Sequence, residues 1–276
     1  MTPDQITAAA DMLFQAEISG QQCGLLSLAF PDITLDDAYA VQAALVAQKR
    51  AAGAKIIGWK IGLTSRAMQQ ALNITTPDSG VLLDDMLFQT GDTVPKGRFI
   101  QPRIEAEIAF VMKSDLSGAD VTRDGVIAAT DYVAPSLEIL DTRVLRADPA
   151  TGTARVIFDT VADNAANAGI VLGRERHAID AHDLRWIGAV VKRDGVVEET
   201  GLGAGVLDDP VMGIVWLVQR LAAYGMGLAA GDVVLSGSFI RPIEATPGSV
   251  FDADFGAFGK VLLTFAPATP SGLPEI

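Results

Sequence analysis

The feature that most constrains this chain is a change of texture at Lys55. Before it, residues 3–18 and 36–52 carry apolar side chains at helical spacing. The stretch LDDAYAVQAALVAQKRAAG has acids in its first turn, Lys49 and Arg50 in its last, and Gly53 as a stop. That pattern suits the helix dipole and the C-cap. After Lys55, KIIGWKIGL, GVLLDDMLF, FIQPRIEAEIAFVM and DYVAPSLEILDT read as short strands cut by Gly, Pro and Asp turns, with one short helix over 65–72. LRWIGAVVKRDG and VVEETG continue the β texture, and RDG reads as a hairpin turn. One strong helix follows at 209–224, with Asp209 as its cap, Pro210 in the first position and Gly225 at its end. GDVVLSGSF, VFDADF and KVLLTF close the chain as strands. Helices gathered at the front and strands behind them define an α+β class with a mainly antiparallel or mixed sheet, not regular βαβ winding. The expected division is a helical region over 1–54, a β-rich body over 55–266 and a loose Pro/Gly-rich tail over 267–276.

Charge narrows the partners. The 276 residues hold 21 Lys and Arg against 34 Asp and Glu, a net charge of −13, and the basic residues are scattered singly. Nucleic acids and anionic membranes need clusters of Lys and Arg, so neither is expected as a partner. Cys23 is the single cysteine, which excludes an intrachain disulfide and suits a reducing compartment. No basic neighbour in sequence activates it as a nucleophile. The first residues carry acids where a secretory signal carries Lys or Arg, and the apolar runs are short of a membrane span. A cytoplasmic protein is expected.

Within the body, RIEAEIAFVM at 103–112 sets Glu105 and Glu107 two residues apart in an apolar run. On a strand both point to one face, where two like charges repel and burial is costly unless a cation compensates. Hard divalent ions take oxygen ligands. SLEILDT supplies Glu138 as a third carboxylate, with Asp141 as an equally polar rival that a strand would aim to the other face. In GWKIGLTS, Lys60 lies between Trp59 and Ile61, where partial burial would lower its pKa and fit it for acid–base or enolate-stabilising work. Gly58 and Gly62 beside it would let backbone approach a ligand. Asp78 in TTPDSG sits in a turn. His177 and His182, five apart, lack the spacing of a helical zinc pair and are expected at the surface. GLGAG at 201–205 does not follow an apolar strand, so a dinucleotide fingerprint is not expected, and no G-x-S-x-G elbow occurs.

Taken together, GWKIGLTS, TTPDSGVLLDDM, QPRIEAEIAFV, PSLEILDTR, FDTVADNAANAG and LSGSFIRP resemble, in order and from about residue 30 to about 266, the hydratase and decarboxylase branch of the fumarylacetoacetate hydrolase superfamily. The resemblance implies a mixed β-roll of that superfamily's C-terminal type, preceded by N-terminal helices, in a homo-oligomer. It implies Mg²⁺ or Mn²⁺ held by Glu105, Glu107 and Glu138, with Lys60 and Asp78 as catalytic groups. The implied reaction adds water to a 2-oxo or 2-hydroxy dienoic diacid of aromatic catabolism, with hydration of a monoacid pentadienoate, or decarboxylation of a vinylogous 2-oxo acid on the same metal site, as the alternatives. Ser238 would bind the substrate carboxylate. A diacid would need a cation for its far carboxylate, for which Arg241 is the candidate and Arg66 and Arg143 are rivals. Ser79 departs from the pattern, which has an aromatic residue after the aspartate.

Overall fold

A computed structural model describes residues 1–71 and 74–268. Helix α1 (Pro3–Ser19) starts on a capping box in which Thr2 and Gln5 exchange hydrogen bonds, and a single turn, α2 (Leu26–Ala29), leads on to α3 (Leu35–Ala51), where Thr34 and Asp37 form a second box. Next come β1 (Ile56–Gly62), α4 (Arg66–Ala71), β2 (Asp78–Leu83), β3 (Leu87–Gln89), β4 (Thr93–Val94) and β5 (Arg103–Met112). Helix α5 (Arg123–Ala129) returns the chain into β6 (Thr130–Leu140), and α6 (Ile157–Ala162) precedes β7 (Asn167–Leu172). Strands β8 (Gly188–Arg193) and β9 (Val196–Leu202) form the expected hairpin. Asp194 and Gly195 take φ of 55° and 83°, the left-handed pair that a two-residue turn matched to strand twist requires. Asp209 caps α7 (Pro210–Ala222), its Oδ1 accepting from the Val211 N–H at 3.0 Å. Strands β10 (Val233–Leu235), β11 (Ile243–Glu244), β12 (Val250–Asp254) and β13 (Lys260–Phe265) complete the fold.

The strands form two sheets. The larger runs β2-β1-β10-β5-β6-β7-β3, with β11 extending β5, and the smaller runs β4-β13-β12-β8-β9. Strand pairs β1–β10, β3–β7 and β4–β13 are parallel and the others antiparallel, which makes this the mixed α+β architecture read from the sequence. The main core draws on both sheets and α7, with Phe110, Phe251, Phe258, Leu217 and Val234 fully buried. A second apolar cluster joins Leu13 of α1 and Val41 and Leu45 of α3 to Val144 and Val161, seating the N-terminal helices on the body beside α6. Arg143 lies inside this seam. Its Nε donates to Asp163 Oδ1, Nη2 to the Asp163 carbonyl at 2.7 Å and Nη1 to the Asn167 carbonyl at 3.1 Å. Its charge is thus spent on holding the chain together.

Helices α5 and α6, at seven and six residues, are too short to show a 3.6-residue period in the sequence. Residue 72 of the expected short helix, and the expected tail from 269 onward, lie outside the described residues. Among the described residues no helix is long and apolar enough to cross a membrane.

Candidate active site and metal centre

Strands β5 and β6 pair antiparallel, with Glu105 opposite Glu138 and Glu107 opposite Ser136. Alternation along β5 and direct pairing with β6 put all three glutamates on one sheet face. Each offers a carboxylate oxygen within 4.8 Å of the others. Glu107 and Glu138 are 0% exposed and Glu105 is half-buried. The Gly237 N–H donates to Glu107 Oε2 at 2.7 Å, but among the described residues no hydrogen bond satisfies Glu107 Oε1 or either oxygen of Glu138. Buried acceptors left in this way cost stability unless a cation takes them up. Three converging carboxylates with open lone pairs fit a hard divalent ion, which favours oxygen donors and keeps positions for other ligands.

Lys60 on β1 completes the cluster: it is 3% exposed, with Nζ 3.4 Å from Glu138 Oε1. Strand β2 runs antiparallel to β1, so Gly62 faces Asp78 and Lys60 faces Gly80. Asp78, expected in a turn, is instead the first residue of β2 and is buried. The glycines around Lys60 allow close approach within the chain. A Cβ on Gly62 would lie 2.2 Å from Asp78 Oδ1 and 2.9 Å from Lys60 Nζ, and one on Gly58 would lie 1.8 Å from the Val233 carbonyl oxygen. Gly62 therefore makes room for ammonium and carboxylate on the same face.

Burial and mutual repulsion govern the acids. Burial, then the charge of Glu138, pushes the Glu105 carboxyl up to about 8. The same two causes raise Glu107 well above the ordinary glutamate value, and burial raises Glu138 against the pull of Lys60. Burial also raises Asp78, with the charges of Lys60 and Arg220 pulling the other way. The expectation for Lys60 is reversed. Burial does oppose its charge, but Glu138, Asp78, Glu105 and Glu107 outweigh burial and hold it above the ordinary lysine range.

A pH dependence follows. A carboxyl whose folded pKa is raised contributes most below its unfolded pKa and loses that contribution as pH rises through the folded value. For Glu105 that window runs from the ordinary 4.5 to about 8. The melting temperature of metal-free protein is expected to fall across it, and the rise produced by Mg²⁺ to be larger at the alkaline end, where protons no longer compete. Thermal melts with and without Mg²⁺ check this; a Mg²⁺ response that does not grow with pH would contradict it.

The other candidates lie in different surroundings. Ser238 Oγ donates to the Ile240 carbonyl at 2.9 Å and accepts from the Ile240 N–H at 3.2 Å, so it caps its own loop. The Arg241 side chain is 78% exposed and pairs with Glu199 at 2.6 Å. Arg66 is also exposed, facing Asp208 at 3.3 Å. Asp141 accepts from the N–H groups of Ile100 and Gln101 at 2.8 and 2.7 Å, which fixes that loop and leaves Glu138 as the residue facing Glu105. The histidines are not free at the surface: His177 stacks on Phe258 at 4.6 Å and its Nδ1 meets His182 Nε2 at 3.3 Å.

Sequence reasoning missed two backbone contributors. One is the Gly237 amide on Glu107. The other is a left-handed turn at Asn164, Ala165 and Ala166, with φ of 50°, 51° and 58°. The Asn164 side chain both accepts from the Val81 N–H at 2.8 Å and donates to the Val81 carbonyl at 2.9 Å, imitating a neighbouring strand.

Three converging carboxylates, two of them wholly buried, lie beside a lysine and an aspartate on one face of a mixed sheet, a donor set that fits a divalent ion. No protein-family model matches the chain. It is 49% identical over 259 residues to the 2-oxo-hept-4-ene-1,7-dioate hydratase of Escherichia coli, spanning 94% of this chain and 97% of that one. The 4-oxalocrotonate decarboxylase of Pseudomonas putida G7, solved with magnesium and adipate, superposes with a TM-score of 0.90 at 33% identity, covering 96% of this chain and 98% of its own. A fumarylacetoacetate hydrolase from Exiguobacterium antarcticum shares the fold at 13% identity and a TM-score of 0.57, covering 77% of this chain and 76% of its own. The chain belongs to the family of 2-oxo-enoate hydratases and 4-oxalocrotonate decarboxylases, and it shares the fold of a fumarylacetoacetate hydrolase.

Proposed function

We propose that this enzyme is a divalent-metal-dependent hydratase that converts 2-oxohept-3-ene-1,7-dioate, or the dienol that ketonises to it, into 4-hydroxy-2-oxoheptane-1,7-dioate. The observation that carries this is the placement of Lys60 and Asp78 on the same sheet face as the Glu105–Glu107–Glu138 triad. The 49% identity to a diacid hydratase supports the choice of substrate. Glu105, Glu107 and Glu138 would hold Mg²⁺ or Mn²⁺, which when bound supplies Lewis-acid polarisation of a 2-oxo acid.

The protein's own groups do the rest. Lys60, kept charged by its carboxylate neighbours, donates to the C2 oxygen as negative charge gathers there. It acts as a donor and not as a base. Asp78 is the proton carrier. The dienol loses its O–H proton and gains one at C5, which gives the conjugated enone. Water then adds its hydroxyl at C4 and a proton at C3. Ser238 and Arg241 follow the Gly237 amide that holds Glu107, and are proposed for the substrate carboxylates. Ser238 would have to exchange its bonds to Ile240 to do so, and Arg241 its pair with Glu199. The setting we infer is the homoprotocatechuate route in the cytoplasm, as a homo-oligomer; light scattering on the purified protein tests the last point.

The test is an assay of Mg²⁺-loaded enzyme on a seven-carbon diacid dienol and a five-carbon monoacid dienol. Turnover is expected on both, with the diacid preferred. Arg241→Ala should lower kcat/KM on the diacid about tenfold or more and leave the monoacid near the parent. Equal loss on both, or none, removes Arg241 from the substrate site. A second reading, decarboxylation of a vinylogous 2-oxo acid on the same centre, is favoured by the TM-score of 0.90 to the 4-oxalocrotonate decarboxylase. Release of carbon dioxide without uptake of water would select it.

A further inference from the structure

Strand β2 lies at the edge of the larger sheet, with β1 on one side and, among the described residues, no strand on the other. An edge strand leaves N–H and C=O groups unpaired on its outer side, and those groups need partners when buried. At Ser79 the partners come from the N-terminal helices. The Ser79 N–H donates to Tyr39 Oη at 3.3 Å, and Gln42 Nε2 donates to the Ser79 carbonyl at 2.9 Å. Gln42 is itself buried and also donates to the Val161 carbonyl at 2.9 Å, tying α3 to α6. A third hold comes from α7, where Arg220 Nε donates to Ser79 Oγ at 3.2 Å. Arg220 is fixed in turn by aromatic rings, its guanidinium carbon 3.4 Å from the Tyr39 centroid and 5.2 Å from that of Tyr224. Tyr224 Oη donates to Asp36 Oδ1 at 3.2 Å, which closes a loop between α7 and the first turn of α3.

Ser79 is thus gripped on its backbone and on its side chain by residues that do not line the carboxylate cluster. Its neighbour Asp78 points the opposite way, onto the face of Gly62 and Lys60. Any slackening at Ser79 moves the Asp78 carboxylate relative to Lys60, and small misplacements of a proton-transfer group are expensive.

We propose that Arg220, with Tyr39 and Gln42, is a positioning residue that sets Asp78 by clamping Ser79 from behind the catalytic face. The proposal rests on the reading of Asp78 as the proton carrier. Because Asp78 acts in proton transfer, loosening the clamp slows the chemical step more than it weakens substrate binding. Ser79 is then the acceptor matched to Arg220.

The test uses the full chain loaded with Mg²⁺, in the parent and in Arg220→Gln, Ser79→Ala and the double variant. Arg220→Gln is expected to lower kcat about tenfold with KM changed less than about twofold, and Ser79→Ala to lower kcat about threefold. The double variant should be no worse than Arg220→Gln alone, because the contact that Ser79→Ala removes is already lost there. Amide hydrogen exchange in peptides covering Asp78–Gly80 should quicken in each variant, with β5 and β6 unchanged. Parental kcat and exchange in Ser79→Ala, or additive losses in the double variant, would overturn the proposal. If Arg220→Gln does not fold, Ser79→Ala decides by the same two readouts. If the parent turns over no dienoate, the functional reading fails on its own, and exchange at Asp78–Gly80 still decides whether the clamp exists.

Discussion

Glu107→Gln is expected to lower turnover about a thousandfold or more while raising the melting temperature of the metal-free protein. The two effects have one origin. Glu107 is wholly buried and its carboxyl is raised by burial and by Glu138 and Glu105, so in the absence of a cation its charge is a burden on the fold. Glutamine keeps an oxygen for the Gly237 N–H and removes that charge. The metal-free variant should melt a few degrees above the metal-free parent, by the usual conversion of about 1 kcal/mol into a shift of a few degrees. Its response to Mg²⁺ should shrink, because one of three anionic donors is gone. Thermal melts with and without Mg²⁺, beside a turnover assay, measure all three. Parental turnover, or an undiminished Mg²⁺ response, would remove Glu107 from the metal centre.

Lys60→Met should show the opposite pattern of stability with a comparable loss of rate. Turnover is expected to fall about a hundredfold to ten-thousandfold, mostly in kcat, since the ammonium acts on charge that develops during reaction. The metal-free fold should weaken, because Glu138 loses the cation 3.4 Å from its Oε1 and stays buried. Mg²⁺ should bind more tightly, because a positive charge that competes with it has gone. Calorimetric titration with Mg²⁺ separates this role from a purely structural one. Weaker Mg²⁺ binding together with full turnover would contradict both assignments.

How far the sequence reached depended on the range of the contacts involved. Glu105 and Glu107 were legible as a pair because strand alternation is local, and Glu138 because β6 reads as a strand in its own right. Sequence left Asp141 as a rival; the β5–β6 register sets Glu138 opposite Glu105, while the Asp141 carboxylate accepts from the Ile100 and Gln101 amides. The protonation of Lys60 was misread because its cause lies in acids brought together from β2, β5 and β6. Burial alone, which a sequence suggests, gives the wrong sign. Asp78 looked like a turn residue because Pro77 and Gly80 flank it, whereas pairing with Gly62 draws it into β2. The histidine pair looked exposed because Phe258, on which it stacks, follows His177 by 81 positions. Arg220 and Ser79, 141 positions apart, left no local trace at all.

The left-handed turn at 164–166 has a consequence for anyone altering this protein. Each L-residue in that conformation costs about 1–2 kcal/mol, and three in succession persist only because the Asn164 and Asn167 amides are anchored on Val81. Glycine carries no such cost there. Ala165→Gly is therefore expected to leave urea stability unchanged or to raise it, whereas Ala10→Gly in α1 should lose about 1 kcal/mol. Equal losses at both positions would mean that the turn carries no strain. For engineering, the segment beside β2 is one where the usual rule of rigidifying a loop by removing glycine runs backwards.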